Sequence, residues 1–349
     1  MSTFAELVDL ASERMGGRAL AASDDFFAEK ENLLKPDKAV FIAGKFTERG
    51  KWMDGWESRR KRTPGHDWCI VKLGQPGVVC GVNVDTSFFN GNQPEYCTLE
   101  GAELPEGASA DAATSESGAA WTPIVARTPL TPSSEHLIEA LGAVSARRFT
   151  HVRLNIFPDG GVARLRVFGR VVADWAVLTR YHGPLELSAA KYGGLVVAAN
   201  DMHFGSRHNL IMPDKAANMG DGWETRRKRG LTWVDGRCVE HDWAVVRLAH
   251  RGSIGSIEID TAHFKGNFPE SCSVEACDAA GGVDAPSFDP GAQQWKELLP
   301  RTALKADARR LFESELDDRG RNGSFTHVRL RIFPDGGVSR LRIWGRPTL

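Results

Sequence analysis

Apolar and polar residues alternate with a period of two along much of this chain, and two of the clearest runs are near copies of each other. Val152, Leu154 and Ile156 alternate with Arg153 and Asn155, and after a short break Leu165 and Val167 alternate with Arg164 and Arg166. Such a period places one set of side chains on each face of a strand, so both arms predict half-buried β-strands. Between them lies Phe-Pro-Asp-Gly-Gly, where proline presets φ and glycine accepts positive φ. The two arms therefore read as a hairpin with an arginine-bearing outer face. The whole stretch, 149–170, recurs as 325–346 with four differences: Asn155/Arg331, Ala163/Ser339, Val167/Ile343 and Phe168/Trp344.

Further matched stretches follow the same order in each half. DGWESRRKR at 54–62 answers DGWETRRKR at 221–229, and the strand-like HDWCIVKLG at 66–74 answers HDWAVVRLA at 241–249. A second strand in each half ends in Asp-Thr and enters a loop carrying Gly-Asn and Pro-Glu. The spacing between copies far exceeds the ~20–50 residues of solenoid repeats, so whole domains are duplicated. The expected boundaries are 1–172 and 173–349, with an ordered connector over 171–185. Short strands, turns rich in Gly, Pro, Asn and Asp, and little helix predict an all-β protein of two duplicated jelly-roll β-sandwich domains. Two segments depart from that pattern. Residues 4–15 predict a short amphipathic helix with Phe4, Leu7, Val8 and Ala11 on one side, and the small, polar stretch 101–120 predicts an exposed loop.

Composition narrows the class. A chain of 349 residues fits two ordinary domains, and a net charge of −1 gives no field that would draw it to nucleic acid or a membrane surface. The six cysteines include no Cys-x-x-Cys pair, which suits reduced thiols. The first residues lack a basic flank followed by an apolar run, and no stretch approaches the ~18 apolar residues of a membrane span. These features predict a cytoplasmic protein.

No His-Glu-x-x-His, phosphate loop or Gly-x-Ser-x-Gly elbow is present. The sharpest chemical signal comes from comparing the halves. Phe26 answers His203, Phe88 answers His263, and Asn90 answers Lys265. Histidine exchanges a proton near neutral pH and phenylalanine does not, so the second half is the expected seat of chemistry. His66/His241 and His151/His327 occur in both halves and read either as structural hydrogen-bonders or as site groups. Asp85/Asp260 with Thr86/Thr261 either bind ligand or cap a turn. Arg153/Arg329 either clamp a carboxylate or face solvent, and Arg164/Arg340 read as solvated or subunit-facing.

Together, VDLASERMGG, SDDFFAEKENLL, DGWESRRKR, HDW, VDTSFFNGN and THVRLNIFPDGG in the first half resemble the allantoicase family. NDMHFG, NMGDGWETRRKR, HDW, IDTAHFKGN and THVRLRIFPDGG do so in the second. The resemblance implies two domains like galactose-binding modules, a homo-oligomer, and hydrolysis of the small molecule allantoate to ureidoglycolate and urea. Such a reaction needs a cation for the carboxylate, polar groups for the ureido arms, an acid for departing urea and a base for water. His203, His263, Lys265, Glu224 and Asp260 are the expected catalytic groups. Arg226, Arg227, His241, Asn267 and Arg329 are the expected substrate-binding ones. A divalent metal, with His203, His263 and a carboxylate as ligands, is the alternative means of activating water. The rival functions are a non-catalytic ligand- or carbohydrate-binding jelly roll and a hydrolase of a related ureido acid.

Overall fold

The computed structural model describes residues 3–105, 107–108, 113–114, 120–181, 183–284 and 288–348. Contacts divide the chain into two units, Met1–Ala173 and Asp174–Leu349.

In the first unit the long strand Asp67–Asp85 serves two sheets. Its early part pairs antiparallel with Arg148–Phe157, His151 lying opposite Lys72 and Ile156 opposite Asp67, and with Arg18–Ala22. Its late part pairs with Arg164–Val171, Arg164 lying opposite Asp85, and with Glu135–Glu139. Register against Arg148–Phe157 breaks between Lys72 and Gly77, where Pro76 cannot donate to a ladder. Beyond Arg148–Phe157 the first sheet continues through Tyr96–Ala102 to Thr122–Pro129, and Val8–Asp9 edges the second. The second unit repeats this plan around Asp242–Asp260, flanked by Phe325–Phe333 and Arg340–Pro347. Each unit is a jelly-roll sandwich.

The predicted hairpin is therefore corrected. The arms Arg148–Phe157 and Arg164–Val171 do not pair with each other; the long strand lies between them. Alternation reports which face a side chain takes, not which strand lies alongside.

The apolar positions behave as their period requires, since Val152, Leu154, Ile156, Leu165 and Val167 are wholly buried. The polar set does not. Arg164 and Arg340, expected at a solvated or subunit-facing surface, are buried. Arg164 donates to the carbonyls of Asp37, Asp54 and Ala163 and, at 2.8 Å, to the Asp54 carboxylate. Arg340 does the same with the carbonyls of Asp214, Asp221 and Ser339, and reaches both Asp carboxylates at 3.1 Å. A guanidinium out of water needs a partner for nearly every N–H, and the loops before the Trp-Glu strands supply them.

Two other expectations change. Residues 4–15 form no single helix: 3-10 turns Thr3–Glu6 and Glu13–Met15 flank the strand Val8–Asp9, although Phe4, Val8 and Ala11 are buried. Within 101–120, Gly101 and Ala102 end a strand, and Leu104 and Ala113 are buried against Ile70, so these are not exposed loop. Residues 106, 109–112 and 115–119 of that expectation lie outside the described residues. Among the described residues no helix is long and apolar enough to cross a membrane.

Candidate active site

The site begins with a two-residue strand. Trp223–Glu224 pairs with Gly337–Val338, and Trp56–Glu57 pairs with Gly161–Val162 in the first unit. Because neighbours on a strand face opposite ways, the Trp enters the core and the Glu points out. Both Trp223 and Trp56 are wholly buried, each worth roughly 4–6 kcal/mol of apolar transfer. Each indole N–H is satisfied at 2.8 Å, by the Asp201 carbonyl and the Asp24 carbonyl respectively. Gly337, opposite Glu224, makes room for the Phe264 ring, since a Cβ there would stand 2.0 Å from it.

Asp201 organises the residues around this strand. Its carbonyl holds Trp223, while its Oδ1 accepts the amides of His203 at 3.0 Å and Arg226 at 3.1 Å. The backbone carbonyl of Glu224 accepts from the amides of Phe204 and Gly205. From the loop after the long strand, Asn267 takes the Gly337 amide on its carbonyl, and its side-chain amide donates to Glu224 Oε1 at 2.6 Å. His203, Glu224, Arg226 and Asn267 are thus brought into one loop cluster. Arg226 Nε lies 3.7 Å from Asp201 Oδ2, and its side chain is largely exposed. The neighbouring Arg227 is exposed and forms no ion pair among the described residues.

His263 and Lys265 lie on the loop that delivers Asn267. His263 has a left-handed backbone, φ +70°, with its amide donating to Asp307 Oδ1 at 2.7 Å. Its Nε2 donates to the Ala216 carbonyl at 2.9 Å, which leaves Nδ1 to accept or carry a proton. Phe88 keeps the same backbone in the first unit, φ +68°, and stacks on Phe41. Lys265 is exposed.

The remaining expected residues sit in other networks. Asp260 is buried and its Oδ1 accepts the Ala262 amide at 2.8 Å, as Asp85 does for Ser87, so this carboxylate caps the turn that presents His263. Arg329 is paired with Glu275 at 2.6 Å and lies over Trp295. His241 accepts from Arg331 at 3.2 Å and packs on Phe333, and burial holds its imidazole below the usual histidine range. His66 Nε2 instead donates to Asn155 Oδ1 at 3.3 Å, so the group facing this histidine is an acceptor in the first unit and a donor in the second. Among the described residues no three His, Cys, Asp or Glu side chains form a group able to hold a metal ion.

The first unit repeats the carboxylate–amide pair, with Asn92 donating to Glu57 Oε1 at 2.8 Å. Burial raises the Glu57 carboxyl, against the Asn92 bond and the charge of Lys51. Sequence reasoning missed Asp201 as the organiser, although its equivalence with Asp24 was visible. It also missed a change of spacing. The offset of 177 between Asn32 and Asn209 falls to 167 between Trp56 and Trp223, which leaves ten extra residues in the first unit. They contribute the small hairpin Phe46–Thr47 with Gly50–Lys51.

The Allantoicase family model, described as an allantoicase repeat, matches residues 8–172 and again 185–348. The chain belongs to the allantoicase family. It is 50% identical to a probable allantoicase 1 of Burkholderia mallei, over 97% of this chain and 94% of that one. It is 47% identical to a probable allantoicase of Ralstonia nicotianae over the same shares. The crystal structure of allantoicase from Saccharomyces cerevisiae superposes with a TM-score of 0.78 at 34% identity, covering 97% of this chain and 93% of that one. An allantoicase is a hydrolase of C–N bonds in linear amidines.

Proposed function

We propose that this chain hydrolyses allantoate to ureidoglycolate and urea in purine degradation, with the chemistry in the second unit. The observation that carries the placement is His203, gathered with Arg226 and the Glu224–Asn267 pair around Asp201 where the first unit has Phe26 at the equivalent place on Asp24. In the reaction the bond from the α-carbon to one ureido nitrogen breaks. Water supplies hydroxyl to the carbon and, in net terms, a proton to the leaving nitrogen. Arg227 and Arg226 receive the substrate carboxylate, for which a planar guanidinium fork is well matched. Asn267 and Glu224 take the N–H and carbonyl groups of a ureido arm. His263 through Nδ1, with His203 and Lys265, handles the proton. Asp260 positions His263 through the turn it caps.

A cytoplasmic homo-oligomer completes the reading. Six free cysteines suit a reducing compartment, and exposed Phe204 and Trp233 are apolar area that a second copy would cover. The deciding experiment incubates purified protein with allantoate and follows urea with a coupled assay, with and without added divalent metal, and ureidoglycolate as the alternative substrate. One urea per allantoate consumed is expected. No urea above background under either condition would overturn the proposal.

A further inference from the structure

The ten residues that the first unit has in excess form one wall of an open cleft. The cleft holds about 420 Å³ and is lined by Phe27, Glu29 and Asn32 on one side and Glu48, Arg49 and Trp52 on the other. That volume lies within the ~300–1,000 Å³ of small-molecule sites. In the second unit the corresponding chain, 217–220, is too short to build such a wall.

The polar groups are arranged for a particular kind of ligand. Arg49 donates from Nη1 to the Phe26 carbonyl at 3.2 Å and lies over the Phe26 ring, but it forms no ion pair among the described residues. Lys45, over the Trp52 ring, and Lys51, over Phe41, are likewise without an ion-pair partner there. This one hairpin and its flanks thus carry three cations outside any ion pair among the described residues, with Glu29 and Glu48 lining the same cleft and the charge of Lys51 acting on Glu57. Opposite, Asn32 donates through Nδ2 to the Gly55 carbonyl at 3.0 Å, which leaves its Oδ1 as an acceptor. Glu29 and Glu48 add acceptors for N–H groups, and Phe27 and Trp52 supply apolar walls.

From this arrangement we propose that the first unit holds a second ligand site, separate from the Glu224 cluster, for a small carboxylate bearing amide or ureido groups. Arg49 takes the carboxylate, and Asn32, Glu29 and Glu48 take the N–H donors. The choice of ureido acids as ligand class rests on the proposed allantoate chemistry; the existence of the site does not.

Ureidoacetate, a carboxylate with a single ureido arm, is the probe, and the full chain is titrated by fluorescence and by equilibrium dialysis. Ureidoacetate should change the emission of Trp52, identified as the part of the signal lost in Trp52→Phe. Arg49→Gln should weaken that response at least tenfold and remove one bound equivalent per chain. Glu224→Gln should leave the Trp52 response in place. An unresponsive Trp52, a response unchanged in Arg49→Gln, or one abolished by Glu224→Gln would each overturn the proposal. Acetate producing the same response at the same concentration would overturn the ureido selectivity. Absence of urea release from allantoate by the unmodified protein would instead count against the proposed activity, and the Trp52 measurements would still decide whether the cleft binds.

Discussion

Asn267 donates its side-chain amide to Oε1 of Glu224 at 2.6 Å, and Asn92 does the same to Glu57 at 2.8 Å. The pair is common to both units, whereas the histidines beside it are not. Asn267→Ala frees the Glu224 carboxylate to rotate and should lower urea release by tenfold or more. Asn92→Ala should cost much less. The reverse order, measured at saturating allantoate, would move the chemistry to the first unit.

His263→Phe copies the first unit. The left-handed backbone is already occupied by a phenylalanine at Phe88, so the fold should persist and the thermal midpoint should change little. Losing a positioned proton-transfer group typically costs about 10²–10⁴ in rate. Steady-state urea release together with a melting curve separates the two effects, and turnover near normal would remove His263 from the mechanism.

Arg340→Ala should be among the most damaging single changes. It removes a buried cation that donates to three carbonyls and two carboxylates at once. Breaking one side of a buried pair costs about 3–5 kcal/mol. Arg340→Lys should recover only part of this, because an ammonium cannot span the fork. Guanidinium denaturation of the two variants checks both statements.

His151 and His327 give stability a pH dependence. Each is buried with Nδ1 at 2.9 Å from a neighbouring threonine hydroxyl. Burial first, and then the charge of Lys72 or Arg247, pulls each imidazole down to about 4. The unfolded chain therefore takes up a proton near the ordinary ~6.5, while the folded chain resists until about 4. Stability is whole above the unfolded value, declines as pH falls through this window and levels off below it. The loss should be on the order of 2–3 kcal/mol per histidine. Guanidinium midpoints at neutral pH and near the lower end should differ accordingly, and replacing both histidines by glutamine should flatten the difference.

Sequence and structure agree where short-range physics decides. Alternation at Val152, Leu154 and Ile156 places those side chains inside, and the paired motifs report the duplication. They part where a distant segment decides. Asp67–Asp85 lies between two arms that read locally as a hairpin, because nothing in either arm specifies its neighbour. Arg164 and Arg340 occupy polar positions of the alternation, and only loops far along the chain convert them into buried hubs. Among the site residues, the Phe88/His263 exchange was visible as chemistry, and its shared left-handed turn was not. Arg329 offered a fitting cation for a substrate carboxylate, yet Glu275 on the adjacent strand already holds it.

The strand Asp67–Asp85 has a further consequence for how its unit comes apart. One continuous backbone carries hydrogen bonds to both sheets, so neither sheet can peel away while the other keeps its full ladder. A fluctuation that releases Arg148–Phe157 also slackens the segment that holds Arg164–Val171. Amide protons on those two flanking strands should exchange with solvent at a common slow rate, as a single cooperative opening, even though they never touch across a ladder.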